Sequence, residues 1–200
     1  MDFNTTPIIE LAAIIAEHLQ KHDINVVLVG GLAVEIYTEN LYLTKDIDMV
    51  NTNYKKPSTL HNAMGELGFI KQGRVYVNET TKITVEFPTG PLAVGNKLIT
   101  KTTIEKTAKG NIPILHVDDV VKDRLSAFIH WRDNQSLVQA VGVMLKHNLK
   151  PNDFKSFFAA ENDASHYELL DYLYQKAQNK NITTMSQLES LLSEIIVSRL

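Results

Sequence analysis

Asp46 and Asp48, in the run Thr44-Lys45-Asp46-Ile47-Asp48, are the side chains from which chemistry is most directly read. On a strand, residues two apart leave the same face, so this spacing sets two carboxylates side by side. Like charges at that distance repel unless a cation lies between them. Hard oxygen ligands of this kind suit Mg²⁺, which is often held by one or two carboxylates together with substrate phosphates. A third acid, Glu86, lies in Lys82-Ile83-Thr84-Val85-Glu86-Phe87-Pro88. Alternation there puts Thr84 and Glu86 on one side and Ile83, Val85 and Phe87 on the other. If that strand pairs beside the strand of Asp46 and Asp48, three acids converge, as a two-metal phosphoryl-transfer site requires, with ions about 3.5–4 Å apart.

The elements that must position these acids begin upstream. Val26-Val27-Leu28-Val29 is a short apolar run suited to a buried strand, and it ends in Gly30-Gly31. A glycine pair lets the backbone turn sharply with positive φ and lets a ligand approach the main chain with no Cβ in the way. The helix that follows, expected over Leu32–Asn40, would point its N–H groups at an anion such as a phosphate. Strand, glycine turn, helix and acid-bearing strand thus combine a phosphate cradle with a metal anchor.

Gly30-Gly31, Asp46-x-Asp48 and the strand-borne Glu86 together resemble the nucleotidyltransferase fold of the DNA polymerase β superfamily, and within it the bacterial abortive-infection toxin type. The resemblance covers roughly the first half of the chain, with a weaker likeness at His130-Trp131-x-Asp133. It implies that Asp46, Asp48 and Glu86 hold Mg²⁺ (or Mn²⁺) and that Gly30 and Gly31 bind the triphosphate of an NTP substrate, ATP among the candidates. It also implies a supporting hydroxyl at Thr44 and a cation near the nucleotide at Lys122. Lys45 is a candidate for a structural or triphosphate-steering part. The chain departs from many relatives in carrying Gly30-Gly31 for Gly-Ser, and Leu41-Tyr42-Leu43 where an arginine is common. The implied activity is transfer of an NMP to a hydroxyl acceptor: an RNA or tRNA end, a protein or a small molecule. A toxin–antitoxin or phage-defence setting with a cognate antitoxin follows from the same resemblance. The alternative is a catalytically inactive scaffold of the same kind that only binds.

Composition narrows the class. The chain has 200 residues, 44% of them hydrophobic and 22% charged, with a formal net charge of −3, enough for one compact domain or a small core with a helical appendage. The balance lacks the basic footprint of a dedicated nucleic-acid binder. The absence of cysteine removes disulfides, thiolate metal sites and cysteine nucleophiles. No run is apolar for long enough to span a bilayer, and Met1-Asp2-Phe3-Asn4 lacks the basic start of a signal peptide, so a cytoplasmic protein without membrane attachment is expected. No Gly-Lys-Ser/Thr follows the glycines, which disfavours a P-loop NTPase. No nucleophile-elbow pattern supports Ser/His/Asp hydrolysis.

The fold class expected is α+β: a nucleotidyltransferase-like mixed β-sheet with flanking helices over residues 1–116, then a C-terminal helical bundle over 117–200. A packing helix over Pro7–His22, capped by Thr5 or Thr6, opens the chain. His18 and His22 on it lie at i and i+4, a metal-capable pair read as a solvated helix end because no third ligand is near in sequence. Glu35 and Glu39, four apart, read as a surface face. Further expectations are a helix over Ser58–Leu67, a hairpin around Gln72-Gly73 and a loop over 88–95. Lys97, Lys101 and Lys106 read as edge guards or phosphate contacts, and a short strand covers Ile112–Leu115. Helices follow from Val117 and over Gln135–His147, Pro151–Ala160, Ala164–Lys176 and Met185–Arg199. His130 and Asp133, three apart, allow an acid/base pair, with a turn between two packed helices as the weightier reading.

Overall fold

The computed structural model describes residues 1–95 and 97–198. The chain forms two compact units, one of residues 1–36 with 43–116, the other of residues 37–42 with the chain from 117 onward.

In the first unit, α1 (Ile8–Lys21) starts on Pro7, whose φ of −59° is already set for the first turn; no side chain caps it, contrary to the cap expected from Thr5 or Thr6. Leu11, Ile15 and Leu19 are fully buried on its inner stripe. The chain continues through β1 (Val26–Val29), α2 (Gly30–Tyr37), β2 (Asp46–Asn51) and α3 (Pro57–Glu66), the last with Pro57 at its first position. Then come β3 (Ile70–Gln72), β4 (Val75–Val77), β5 (Thr84–Glu86), β6 (Ala93–Val94), β7 (Lys97–Leu98), β8 (Thr102–Thr107) and β9 (Gly110–Leu115).

Seven strands form one mixed sheet in the order β3-β4-β5-β2-β1-β9-β8, and α1 packs on β9. β1 runs antiparallel to β2 and parallel to β9, while β2 runs parallel to β5. The centre is β1, β2 and β9, where Leu28, Ile47, Met49, Ile112 and Ile114 are buried to 1% exposure or less. Each such side chain contributes about 1.5–3 kcal/mol on leaving water. β3 and β8 are the two edges, and β8 carries Lys106 and the half-exposed Ile104.

Besides the missing cap of α1, three expectations for this unit need correction. The helix after the glycines begins at Gly30 itself and ends at Tyr37, because Glu39 and Asn40 take the left-handed region at φ 52° and 66° and break it. The expected loop over 88–95 contains β6, which pairs with β7 in a separate two-stranded ribbon. Glu35 does not lie on a surface face: it is 4% exposed.

The second unit is helical: α4 (Val117–Trp131), α5 (Asn134–Lys146), a 3-10 turn at Pro151–Phe154, α6 (Lys155–Ala160), α7 (Ala164–Asn179) and α8 (Met185–Ser198). The expected end of the last helix, Arg199, lies outside the described residues. α5 is buried on nearly every side from Ser136 to Met144, the mark of a central helix. Among the described residues, no helix is long and apolar enough to cross a membrane.

Candidate active site

The acids are placed by strand register. β2 and β5 pair in parallel with Asp46 opposite Thr84, Ile47 opposite Val85 and Asp48 opposite Glu86. Ile47 and Val85 are fully buried, so the alternate residues Asp46, Asp48, Thr84 and Glu86 share the other, more open face. The structure therefore brings together the three acids read from the sequence, on adjacent strands.

Each acid has its own support. Thr84 donates its hydroxyl to Oδ1 of Asp46 at 2.5 Å, and the Asp46 N–H donates to Oγ1 of Thr44 at 3.2 Å. The Thr44 hydroxyl thus turns toward the backbone at the start of β2. Asp48 leans over the start of α2. Gly30 has φ +68°, and a Cβ built there would collide with Oδ2 of Asp48. Gly30 is therefore required twice, by its backbone conformation and by the carboxylate seated against it. The N-terminal end of a helix also favours that negative charge. Gly31 is the second residue of α2. Glu86 is 27% exposed and lies 3.5 Å from Nε of Arg74, a residue 87% exposed.

Glu35 holds the segment that leads into β2. Its Oε2 accepts the Thr44 N–H at 2.7 Å. Burial pushes the Glu35 carboxyl above the usual carboxylate range, against the opposing pull of that hydrogen bond. Lys45 is exposed just before β2, and its carbonyl accepts the Thr84 N–H at 3.0 Å, which extends the β2–β5 pairing by one step.

Lys122 belongs to the second unit and is held on its own helix. Its Nζ donates to Asp118 at 3.0 Å and to Asp119 at 2.9 Å. Burial works against its charge, but the hydrogen bonds and charges of Asp119 and Asp118 outweigh it and hold the ammonium pKa above its ordinary value. His130 and Asp133 make no pair with each other. His130 meets Glu161 at 3.2 Å, whereas Asp133 caps α5 by accepting the Gln135 N–H at 3.0 Å and the Ser136 hydroxyl at 2.6 Å. The turn reading holds there, but Trp131 is 82% exposed and packs no core.

Sequence reasoning missed Glu35, Arg74 and the part of Thr84. Thr84 was visible as the residue two before Glu86 on the same face. Arg74 had no signal beyond its place after the Gln72-Gly73 turn. Glu35 was hidden by the i, i+4 match with Glu39, which in the structure is exposed and pairs with Lys146 at 2.6 Å.

A cavity of about 460 Å³ in the first unit is lined by Asn25, Val26, Val27, Thr52, Ile104 and others, and by none of the acids. It sits at the start of β1, whereas Asp48 pairs with Val29 at its end. Among the described residues, a group of three ligand-type side chains with atoms all within 4.8 Å of one another occurs at His18, His22 and Glu66. The carboxylate oxygens of Asp46, Asp48 and Glu86 do not all come within that distance of one another.

No protein-family model matches this chain, and no curated protein matches it in sequence. Among solved structures, the solution structure of the antibiotic-resistance factor ANT(2'')-Ia aligns over 88% of this chain and 95% of its own, with 11% identity and a TM-score of 0.47. The crystal structure of ANT(2'')-Ia in complex with adenylyl-2''-tobramycin aligns over 82% of this chain and 94% of its own, with 10% identity and a TM-score of 0.44. At these scores the likeness is loose and assigns no residue of this chain a role.

Proposed function

We propose that the chain is a metal-dependent nucleotidyltransferase that moves an NMP from an NTP to a hydroxyl acceptor. The observation that carries this reading is the register of β2 with β5, which sets Asp48 against Glu86 with Asp46 on the same face. The donor set is all oxygen and anionic, and it fits Mg²⁺ or Mn²⁺ held by Asp46, Asp48 and Glu86. When bound, such ions neutralise phosphate charge and lower the pKa of an acceptor hydroxyl. The chain's own residues supply the order. Thr84 fixes the rotamer of Asp46, Gly30 leaves room for Asp48, and Glu35 pins the Thr44 N–H so that β2 starts in one register. In the transfer, the acceptor hydroxyl gives up its proton to solvent and its oxygen forms a bond to the α-phosphorus. The bond to the bridging oxygen breaks, and pyrophosphate leaves.

A second reading, a nucleotide-binding scaffold without turnover, is favoured by the Arg74–Glu86 ion pair, which already occupies one of the three acids. The test is incubation of the purified chain with Mg²⁺ or Mn²⁺, each labelled NTP, and in separate arms tRNA, a protein mixture or small polyols as acceptor. Label transfer and pyrophosphate release that disappear in Asp48→Asn support the enzyme. NTP binding without release supports the scaffold. Turnover that survives Asp46→Asn with Asp48→Asn overturns the site.

A further inference from the structure

His18 lies in the last turn of α1 and His22 is the residue that ends that helix, four positions on, and Glu66 at the end of α3 lies against both. Oε2 of Glu66 lies 2.9 Å from Nε2 of His22 and 3.5 Å from Nε2 of His18. The two rings are tilted by 55° with centroids 4.7 Å apart, and one ligating atom from each of the three residues falls within 4.8 Å of the others. Four-coordinate zinc bonds nitrogen and oxygen at about 2.0–2.1 Å, which places neighbouring ligand atoms about 3.3 Å apart. The two separations from Glu66 bracket that value, and the 4.8 Å bound on the whole set leaves the final approach of the two rings to side-chain rotation.

We propose that His18, His22 and Glu66 form a site for a transition-metal ion of the Zn²⁺ type that ties α1 to α3. The proposal is independent of the nucleotidyltransferase reading, because it shares no residue with the strand-borne acids. Two imidazoles and one carboxylate are a known zinc ligand set with a fourth position left for water. Imidazole nitrogen selects such ions over Mg²⁺. The side chains of His18, His22 and Glu66 are 19%, 34% and 55% exposed, so an ion reaches them from solvent without opening the core. The backbone supports the arrangement, since the His22 N–H still bonds to the Leu19 carbonyl at 3.0 Å and so keeps the cap residue one turn beyond His18, and the two rings lie 4.7 Å apart.

The competing account gives the same residues an ordinary duty. Nε2 of His18 lies 2.9 Å from the carbonyl oxygen of Ala63, one of the last four carbonyls of α3, and serves as a cap there. His22 and Glu66 then make a simple side-chain contact at 2.9 Å. Binding of the metal exchanges the Ala63 hydrogen bond for a bond to the ion. The ring then binds through a bare Nε2 and keeps one hydrogen on Nδ1: a neutral ring shifts its hydrogen there, and an imidazolium gives its Nε2 proton to solvent.

The experiment uses the full chain, stripped with chelator and held in excess Mg²⁺, and titrates it with Co²⁺ and then Zn²⁺. One Co²⁺ per chain is expected, with the visible absorption of a four-coordinate ion and displacement by Zn²⁺. Zn²⁺ should also raise Tm. Glu66→Gln and His22→Asn should each weaken binding by about tenfold or more. Glu66 is largely exposed, so Glu66→Gln keeps the fold. Ring signals of His18 and His22 followed by NMR in the unaltered chain give a second readout that needs no variant. Absence of Co²⁺ and Zn²⁺ binding in the micromolar range overturns the proposal. So does binding that Glu66→Gln and His22→Asn leave unchanged, or ring signals that stay in place while other histidines shift. None of these readouts involves nucleotide.

Discussion

The first unit carries two groups of ligand-type side chains on different scaffolds. Asp46, Asp48 and Glu86 come from two paired strands, whereas His18, His22 and Glu66 come from two packed helices. Strand pairing produces an open row, with positions set by register two residues at a time. Helix packing produces a tight knot, because one turn brings two rings together and a single third residue closes the set. The row is all carboxylate and has backbone-level support from Gly30 and Thr44. The knot holds itself by side-chain contacts and by the Ala63 carbonyl. If the row works as proposed, its openness would suit a site that admits polyphosphate and releases product, and the closer grouping of the knot would suit an ion that stays.

The sharpest way to break this contrast is to neutralise the row. Asp46→Asn and Asp48→Asn should each lower NMP transfer by about a thousandfold, since the metal's charge stabilisation is worth several kcal/mol and each 1.4 kcal/mol is tenfold in rate. Pyrophosphate release under saturating Mg²⁺ measures it. Zn²⁺ affinity should be unchanged in both variants. A parallel loss of Zn²⁺ binding would show that the two groups are one coupled site.

Next in size is Gly30→Ala. The left-handed φ of +68° costs an L-residue about 1–2 kcal/mol, and the new Cβ pushes the Asp48 carboxylate away. Tm should drop by several degrees and activity should fall together with it. Unfolding monitored by circular dichroism, beside the pyrophosphate assay, checks both. A stable variant with full activity would mean that Asp48 does not work from the position it occupies against α2.

How much of this was legible in the sequence depended on periodicity. The alternation in Lys82–Pro88 placed Thr84 and Glu86 on one face, and Asp46-x-Asp48 did the same for β2; both follow from the two-residue repeat of a strand. The pairing partner did not, because register across strands is set by contacts distant in sequence. Glu35 was misread because i, i+4 spacing is blind to which helix face is buried. Glu66 was invisible as a partner of His18 and His22, being 44 residues beyond His22, and only packing of α1 on α3 joins them. β6 and β7, at two residues each, were too short to show a period. The helices of the second unit were easier, since their apolar stripes repeat over several turns.

A smaller effect is expected from Glu35→Gln, and it separates support of the row from chemistry in it. The folded-state pKa of Glu35 is raised, so its contribution to stability is full below the unfolded value of about 4.3 and is lost as pH rises through the folded value. The glutamine variant does not titrate and can still accept the Thr44 N–H. Its stability relative to the unaltered chain should therefore improve as pH rises through that window. Urea midpoints measured from about pH 4 to about pH 8 check the sign. A difference that stays flat would mean that the fold does not favour the protonated form.

The smallest effect should come from Arg74→Ala. An ion pair at 3.5 Å with a partner 87% exposed is screened by solvent and adds little to stability. Tm should move by no more than about 2 °C. Activity discriminates more finely. If Glu86 serves the row, Glu86→Gln is far more damaging than Arg74→Ala, because the carboxylate works with Asp48 and not with Arg74. If Glu86 is present to hold Arg74, the two variants should behave alike, and the double variant should add nothing to either. A double-mutant cycle on NMP transfer reads this directly. Losses that coincide in all three variants would remove Glu86 from the row and leave two aspartates, a set still able to bind one hard cation but no longer a frame for two.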